Sequence, residues 1–205
     1  MQTDGRAVKR ITLLGILVSF ALILSIVERW FPLEAVVPLR GIKLGLPNIV
    51  TLFALFYLDI PSAIIIIVLR TFLASVFMGS ITALAFSLTG GLMAFVAMRL
   101  ALKLYPKYLS IAGVSMIGAA FHNFGQICAA MVVMGTVNVF GYLPVLLIAS
   151  IVTGFLIGAV FQAVVKKLAS IRSIQAYLKA ASMSPRSRPA MRFEPDKAEK
   201  DKNNP

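Results

Sequence analysis

At 205 residues, 59% hydrophobic and 14% charged, the chain carries too much apolar surface for a soluble domain of its size. The net charge of +12 would suggest nucleic acid in a soluble protein, but basic residues also collect on the cytoplasmic flanks of membrane helices, so the expected partner is a lipid bilayer and no nucleic acid. One cysteine, Cys128 inside an apolar run, excludes a disulfide framework, and nothing in the composition suggests a metal cluster or a cofactor.

Six hydrophobic segments follow one another, which predicts an all-α integral membrane protein built as a six-transmembrane-helix bundle. Residues 1–10 form a short basic N-terminus, and the first helix runs from about Ile11 to Val27. No small-residue cleavage pattern follows it, so it reads as a retained helix rather than a signal peptide. A long connection, Glu28 to Lys43, carries Trp30, Pro32, Pro38 and Gly41. The second segment, about Leu44 to Leu58, is short, and Gly45-Leu-Pro47-Asn48 suits a first turn or a broken entry. Asp59-Ile-Pro61-Ser62 turns into the third, which reaches about Phe77 and contains Arg70. The fourth spans about Ile81 to Leu102, with Gly90-Gly91 at its middle, and a basic loop with Pro106 leads to the fifth, about Leu109 to Met134. The sixth, about Leu143 to Val165, ends at Lys166-Lys167, closing a transmembrane domain over residues 11–167. Residues 168–183 suit an interfacial basic helix, and residues 184–205, with four prolines and mixed charge, suit a disordered tail.

Charge sets the orientation. With the N-terminus inside, 16 cations fall on the cytoplasmic side and only Arg29, Arg40 and Lys43 outside, so both termini are cytoplasmic. All three outer cations lie in the long first external loop together with Glu28 and Glu34, and a loop of that length on a tightly connected bundle suits a lid.

Arg70 falls near mid-membrane, where an arginine costs about 2.5 kcal/mol or more. The sequence offers no acid at its depth: Asp59 starts the same helix, and Glu28 and Glu34 are placed outside. The guanidinium therefore has to meet carbonyls, amide side chains, water or an anionic ligand, as a structural clamp or as part of a cavity. The stretch Gly118-Ala-Ala-Phe-His122-Asn123-Phe-Gly125-Gln126 brings the only histidine and two amides to the same depth. These groups suit either interhelical hydrogen bonding or a polar cavity lined by Arg70, His122, Asn123 and Gln126. Asn48 and Thr51 either face that cavity from its outer end or belong to a helix cap. Small residues stripe the first helix at Gly15 and Ser19, the fourth at Ser87 and Gly91, and the sixth at Ser150, Gly154 and Gly158, which permits close packing within the bundle or against a partner. There is no Walker motif, no paired acidic motif for magnesium diphosphate and no His/Cys cluster, so the chain is not expected to be an enzyme.

Gly41-Ile-Lys43-Leu-Gly45-Leu-Pro-Asn48, Arg70-Thr-Phe, Ser87-Leu-Thr-Gly90-Gly91, the His122-Asn123-Phe-Gly125-Gln126 stretch, and Leu143-Pro144-Val with Thr153-Gly154 together resemble the Gx transporter family, often labelled heptaprenyl diphosphate synthase component I. That family is similar to the substrate-binding S components of energy-coupling factor transporters. The resemblance implies a multi-pass protein of a bacterial cytoplasmic membrane that binds a small, anionic or heteroaromatic substrate for uptake. Arg70 supplies charge, His122, Asn123, Gln126 and Asn48 supply hydrogen bonds, and the external loop with Trp30, Arg40 and Lys43 closes over the ligand. It also implies a transmembrane energy-coupling protein and ATPase subunits as partners, docked through Gly15 and Ser19 on the first helix, where that family usually has alanines. Two other readings stay open: an accessory membrane subunit of heptaprenyl diphosphate synthase in isoprenoid or quinone metabolism, and a membrane anchor of a flavin- or quinone-linked redox complex.

Overall fold

A computed structural model describes residues 2–30, 42–78 and 80–171. Its elements are α1 (Gln2–Val27), a 3-10 turn (Glu28–Trp30), α2 (Asn48–Tyr57), α3 (Ile60–Met78), α4 (Ile81–Ala101), α5 (Ile111–Met134), a 3-10 segment (Val137–Tyr142) and α6 (Leu143–Ala169). Five of these helices are long and apolar enough to cross a membrane; α2 is the short one. The all-α membrane bundle expected from the sequence is the fold observed. Most of the external loop, residues 31–41 with Arg40, and most of the C-terminal segment, residues 172–205, lie outside the described residues.

The second segment departs from a simple span. Gly45 takes φ +87°, a left-handed conformation that stops any helix from running through it. Pro47 lacks an amide hydrogen and biases Leu46 away from helical geometry. The chain therefore enters as an extended leg over residues 42–45 and turns helical only at Asn48, whose amide donates back to the Gly45 carbonyl at 2.9 Å. Ten residues of helix span about 15 Å, half the hydrocarbon thickness.

This half-helix is the axis of the bundle. It touches all five long helices, and seven of its ten residues are buried. An element apolar on every side has to be enclosed, which is what α1, α3, α4, α5 and α6 do around it. The apolar core comes in two parts. One surrounds α2 and the halves of the long helices on the N-terminal side of the bundle, with Leu52, Phe56, Ile66, Met98 and Phe161. The other lies toward the opposite end, with Ile42, Phe86, Ile127, Val139 and Leu146. Buried Glu28, Lys43, Asn48, Arg70, His122 and Gln126 belong to neither and form a polar layer.

α5 packs most extensively on α4 and α6. The α6 glycines make that contact a backbone contact: a Cβ at Gly154 would lie 2.5 Å from Met116 Cα, and one at Gly158 2.5 Å from Ala112 Cα. The stripes on α4 and α6 thus serve internal packing. The α1 stripe does not: Ser19 is exposed, and a Cβ at Gly15 would meet nothing within 4 Å among the described residues.

Near the start of the first helix a polar pin ties α1 to the α2–α3 turn. Asp59 caps α3 by accepting the Ser62 amide at 3.0 Å. Arg10 Nη2 donates to both Asp59 oxygens, at 2.7 and 3.0 Å, and to Ser62 Oγ at 3.0 Å. Partial burial pushes the Asp59 carboxyl up, but the Ser62 hydrogen bonds and the Arg10 charge outweigh it and hold the group below its ordinary 3.8. A depressed folded value stabilises fully above the unfolded value and is lost as pH falls through the folded one. Asp59→Asn is expected to lower stability by about 1 kcal/mol at neutral pH. Thermal unfolding followed by circular dichroism in detergent should show the wild type approaching the variant as pH drops below about 4.

Candidate functional site

The polar layer is built by four elements that meet the extended leg. Glu28 ends α1: it continues the buried face of Ala21 and Ser25 at helical spacing and is itself 3% exposed. This corrects the expectation that Glu28 lies outside in the loop and that Arg70 has no acid at its depth. The physical reason is that the helical path of α1 continues through a 3-10 turn to Trp30, so Glu28 still points into the bundle. One of its oxygens accepts the backbone amides of Gly45 and Leu46, the latter at 3.1 Å, and its charge acts on both Lys43 and Arg70. A carboxylate at the entrance of a broken helix meets the positive end of the helix dipole, so the protein supplies its own anion there.

Gln126, on α5, holds the leg from the other side. Its Oε1 accepts the Lys43 amide at 3.0 Å and its Nε2 donates to the Lys43 carbonyl at 3.1 Å. The side-chain amide thus pairs with one residue's backbone as a neighbouring strand would, and that pairing fixes its orientation. The second Nε2 hydrogen points at His122 Nε2, 2.6 Å away. With Gln126 as donor, His122 Nε2 is the acceptor, and the ring is the neutral tautomer protonated on Nδ1.

Arg70, on α3, is 2% exposed and lies against Gly91 of α4, where a Cβ would come within 3.0 Å of its Nη2. The adjacent Gly90 accommodates His122, since a Cβ there would lie 2.8 Å from the His122 carbonyl and 3.0 Å from its ring. Gly45 presses on the same ring from the leg: its Cβ would lie 2.9 Å from His122 Cδ2 and 2.7 Å from Asn48 Nδ2. Three glycines thus let Arg70, His122 and Asn48 converge on backbone.

Among the described residues, several buried atoms of this layer have no hydrogen-bond partner: Arg70 Nε and Nη2, both ends of the Asn48 amide, Thr51 Oγ1 and Ser87 Oγ. Native structures satisfy nearly all such atoms, so a cluster of them marks a place for a polar guest. The two Arg70 atoms form one edge of the guanidinium, whose parallel N–H groups match the two oxygens of a carboxylate or phosphate. The half-helix entry, being occupied by Glu28, does not itself offer free amides.

The structure therefore brings Arg70, His122, Gln126, Asn48 and Lys43 together. It sets two of the sequence-derived candidates apart. Asn123, fully buried, faces α6 and donates to the Leu146 carbonyl at 2.9 Å and to Ser150 Oγ at 2.8 Å, which makes it an interhelical clamp. Trp30 is 81% exposed at the start of the external connection. Asn48 does not cap α2 with its side chain; Pro47 holds the cap position.

Gln126→Leu would strand the Lys43 amide and carbonyl in an apolar setting. It is expected to cost about 2–4 kcal/mol and to free the leg, whereas Asn123→Leu should cost stability without freeing it. Proteolysis or hydrogen exchange at residues 42–46 would separate the two outcomes.

No curated protein and no solved structure matches the chain. The family model described as heptaprenyl diphosphate synthase component I matches residues 17–164, from the middle of α1 almost to the end of α6 and including every residue of the polar layer. The chain belongs to the heptaprenyl diphosphate synthase component I family of multi-pass membrane proteins.

Proposed function

We propose that this protein is the ligand-binding subunit of a small-molecule uptake system in a bacterial cytoplasmic membrane, and that its ligand is a small anion. The observation that supports this reading is the Nε/Nη2 edge of buried Arg70, which has no hydrogen-bond partner among the described residues and is set among equally unpartnered atoms of Asn48, Thr51 and Ser87. The ligand's oxyanion seats on that edge, and the Asn48 amide and the two hydroxyls orient its neutral part. The extended leg over residues 42–45, clamped by Gln126 and Glu28, is the element that has to move for the ligand to enter. Binding alone does not drive accumulation, so the subunit works with an energy-coupling membrane protein and ATPase subunits, for which the outward stripe of Gly15 and Ser19 on α1 is the docking face.

The family description supports a second reading, an accessory membrane subunit of heptaprenyl diphosphate synthase. In that reading the chemistry belongs to the partner, because the eight acids of this chain form no aspartate-rich motif: Asp4, Glu28, Glu34 and Asp59 are dispersed, and the other four lie beyond residue 193. The polar layer then holds an anion without moving it.

Mass spectrometry of small molecules released from the purified protein tests the first reading. A monoanionic compound is expected from the wild type. Arg70→Lys, which keeps the charge but loses the parallel donors, should retain it about 10- to 100-fold more weakly in a folded protein. Co-isolation with an aspartate-rich prenyltransferase whose turnover requires this subunit, with no released anion, would favour the second reading instead.

A further inference from the structure

A separate feature lies on the lipid-facing side of the bundle. α4 and α5 approach closely where a Cβ on Gly118 would come within 2.5 Å of Met98 Cγ. In front of that contact they leave an open groove of about 470 Å³. One wall is the α4 stripe Leu92, Val96 and Leu100, continued by Leu104 just beyond the helix; the other is Ile117 and Phe121 of α5, with small Ala97 between them. The surface is almost wholly apolar, and Val96, Leu100, Leu104 and Phe121 are each about half exposed.

Its length and its ends are informative. From Leu92 to the helix end at Ala101 the groove runs about 14 Å, close to the roughly 15 Å depth of one hydrocarbon leaflet. It begins midway along α4 and finishes at the basic loop, so it lies in the leaflet that charge asymmetry assigns to the cytoplasm. At that end stand Arg99, Lys103 and Lys107. Arg99 follows Val96 by three residues on the same side of α4, Lys103 adjoins Leu104 in the turn beyond the helix, and Lys107 lies above the Tyr108 ring at 4.9 Å. No carboxylate occurs between residues 60 and 171, so nothing in that stretch neutralises these cations. An apolar trough one leaflet deep, ending at a basic loop, is complementary to a molecule with one long hydrocarbon chain below an anionic head.

We propose that the α4–α5 groove is a binding site for an anionic phospholipid of the cytoplasmic leaflet, with one acyl chain along Leu92–Leu104 and the phosphate against Lys103 and Lys107. The site is independent of the polar layer: it opens to the bilayer, whereas Arg70 and His122 are enclosed between the two parts of the core. The bound chain fills the seam beside Phe121, the neighbour of His122, and so braces the α4–α5 pair that carries Gly90, Gly91 and the polar stretch.

Native mass spectrometry of the full chain, with phosphatidylglycerol or phosphatidylcholine of identical palmitoyl and oleoyl chains as probes, tests this. One phosphatidylglycerol should be retained in preference to phosphatidylcholine, and Lys103→Gln and Lys107→Gln should each reduce that preference about fivefold. Val96→Trp, which fills the groove, should abolish the retained lipid, while Val152→Trp on the exposed face of α6 should not. A second readout does not depend on the folding of those variants: Phe121→Trp in a Trp30→Phe background should be quenched more strongly by brominated phosphatidylglycerol than by brominated phosphatidylcholine. Equal retention and equal quenching for the two headgroups would overturn the proposal. So would displacement of phosphatidylglycerol by farnesyl diphosphate added at equal concentration, which would assign the groove to a prenyl chain.

Discussion

The bundle depends on one buried electrostatic arrangement, the Glu28 carboxylate set between the amides of Gly45 and Leu46 and the charges of Lys43 and Arg70. An arginine at mid-membrane is costly on its own, and so is a carboxylate. Placed together, each lowers the penalty of the other, and the carboxylate also satisfies two backbone donors that the interrupted second segment leaves exposed. The broken helix, the extended leg and the buried arginine are therefore one feature. Without Glu28 the amides of Gly45 and Leu46 would lose their acceptor, and without the leg Glu28 would lose both amides that it accepts.

The apolar architecture serves this layer. The long helices could pack as a simple ring, but α2 occupies the middle and extends only halfway, so the outer half of the axis is left for polar groups. Gly45, Gly90 and Gly91 then remove the side-chain bulk that would keep Arg70, His122 and Asn48 apart. Gln126 gives the arrangement its register by pairing with both backbone groups of Lys43. The result is closed on one side by the larger apolar core and held on the other by a leg that Gln126 and Glu28 clamp.

Much of this was legible in the sequence, for identifiable reasons. Uninterrupted apolar runs give membrane helices because nothing else satisfies their backbone in lipid, and cation asymmetry gives their direction. Gly45 and Pro47 announced a broken entry. The depth of Arg70 and of the His122–Gln126 stretch could be read by counting residues from the helix ends. What could not be read was how the first helix ends. Trp30 and the prolines that follow suggested a loop starting at Glu28, although Ala21, Ser25 and Glu28 already lie on one helical face, a signal that would have placed the acid inside. The direction of Asn123 was also hidden, since neighbours on a helix diverge by about 100° and only packing against α6 decides which of them faces the axis. The pairing of Gln126 with the Lys43 backbone lay beyond sequence reasoning, because it joins residues 83 positions apart through a segment without regular structure.

The most direct test of the central claim is a double-mutant cycle between Glu28 and Arg70, read by thermal unfolding in detergent. Glu28→Gln and Arg70→Gln should each destabilise the protein, because each leaves a buried charge without its counterion. The double variant, with neither charge, should be more stable than the sum of the two losses by about 1–3 kcal/mol. Additive losses would contradict the account, since they would mean that Arg70 is held in the membrane by something other than the carboxylate at the end of α1.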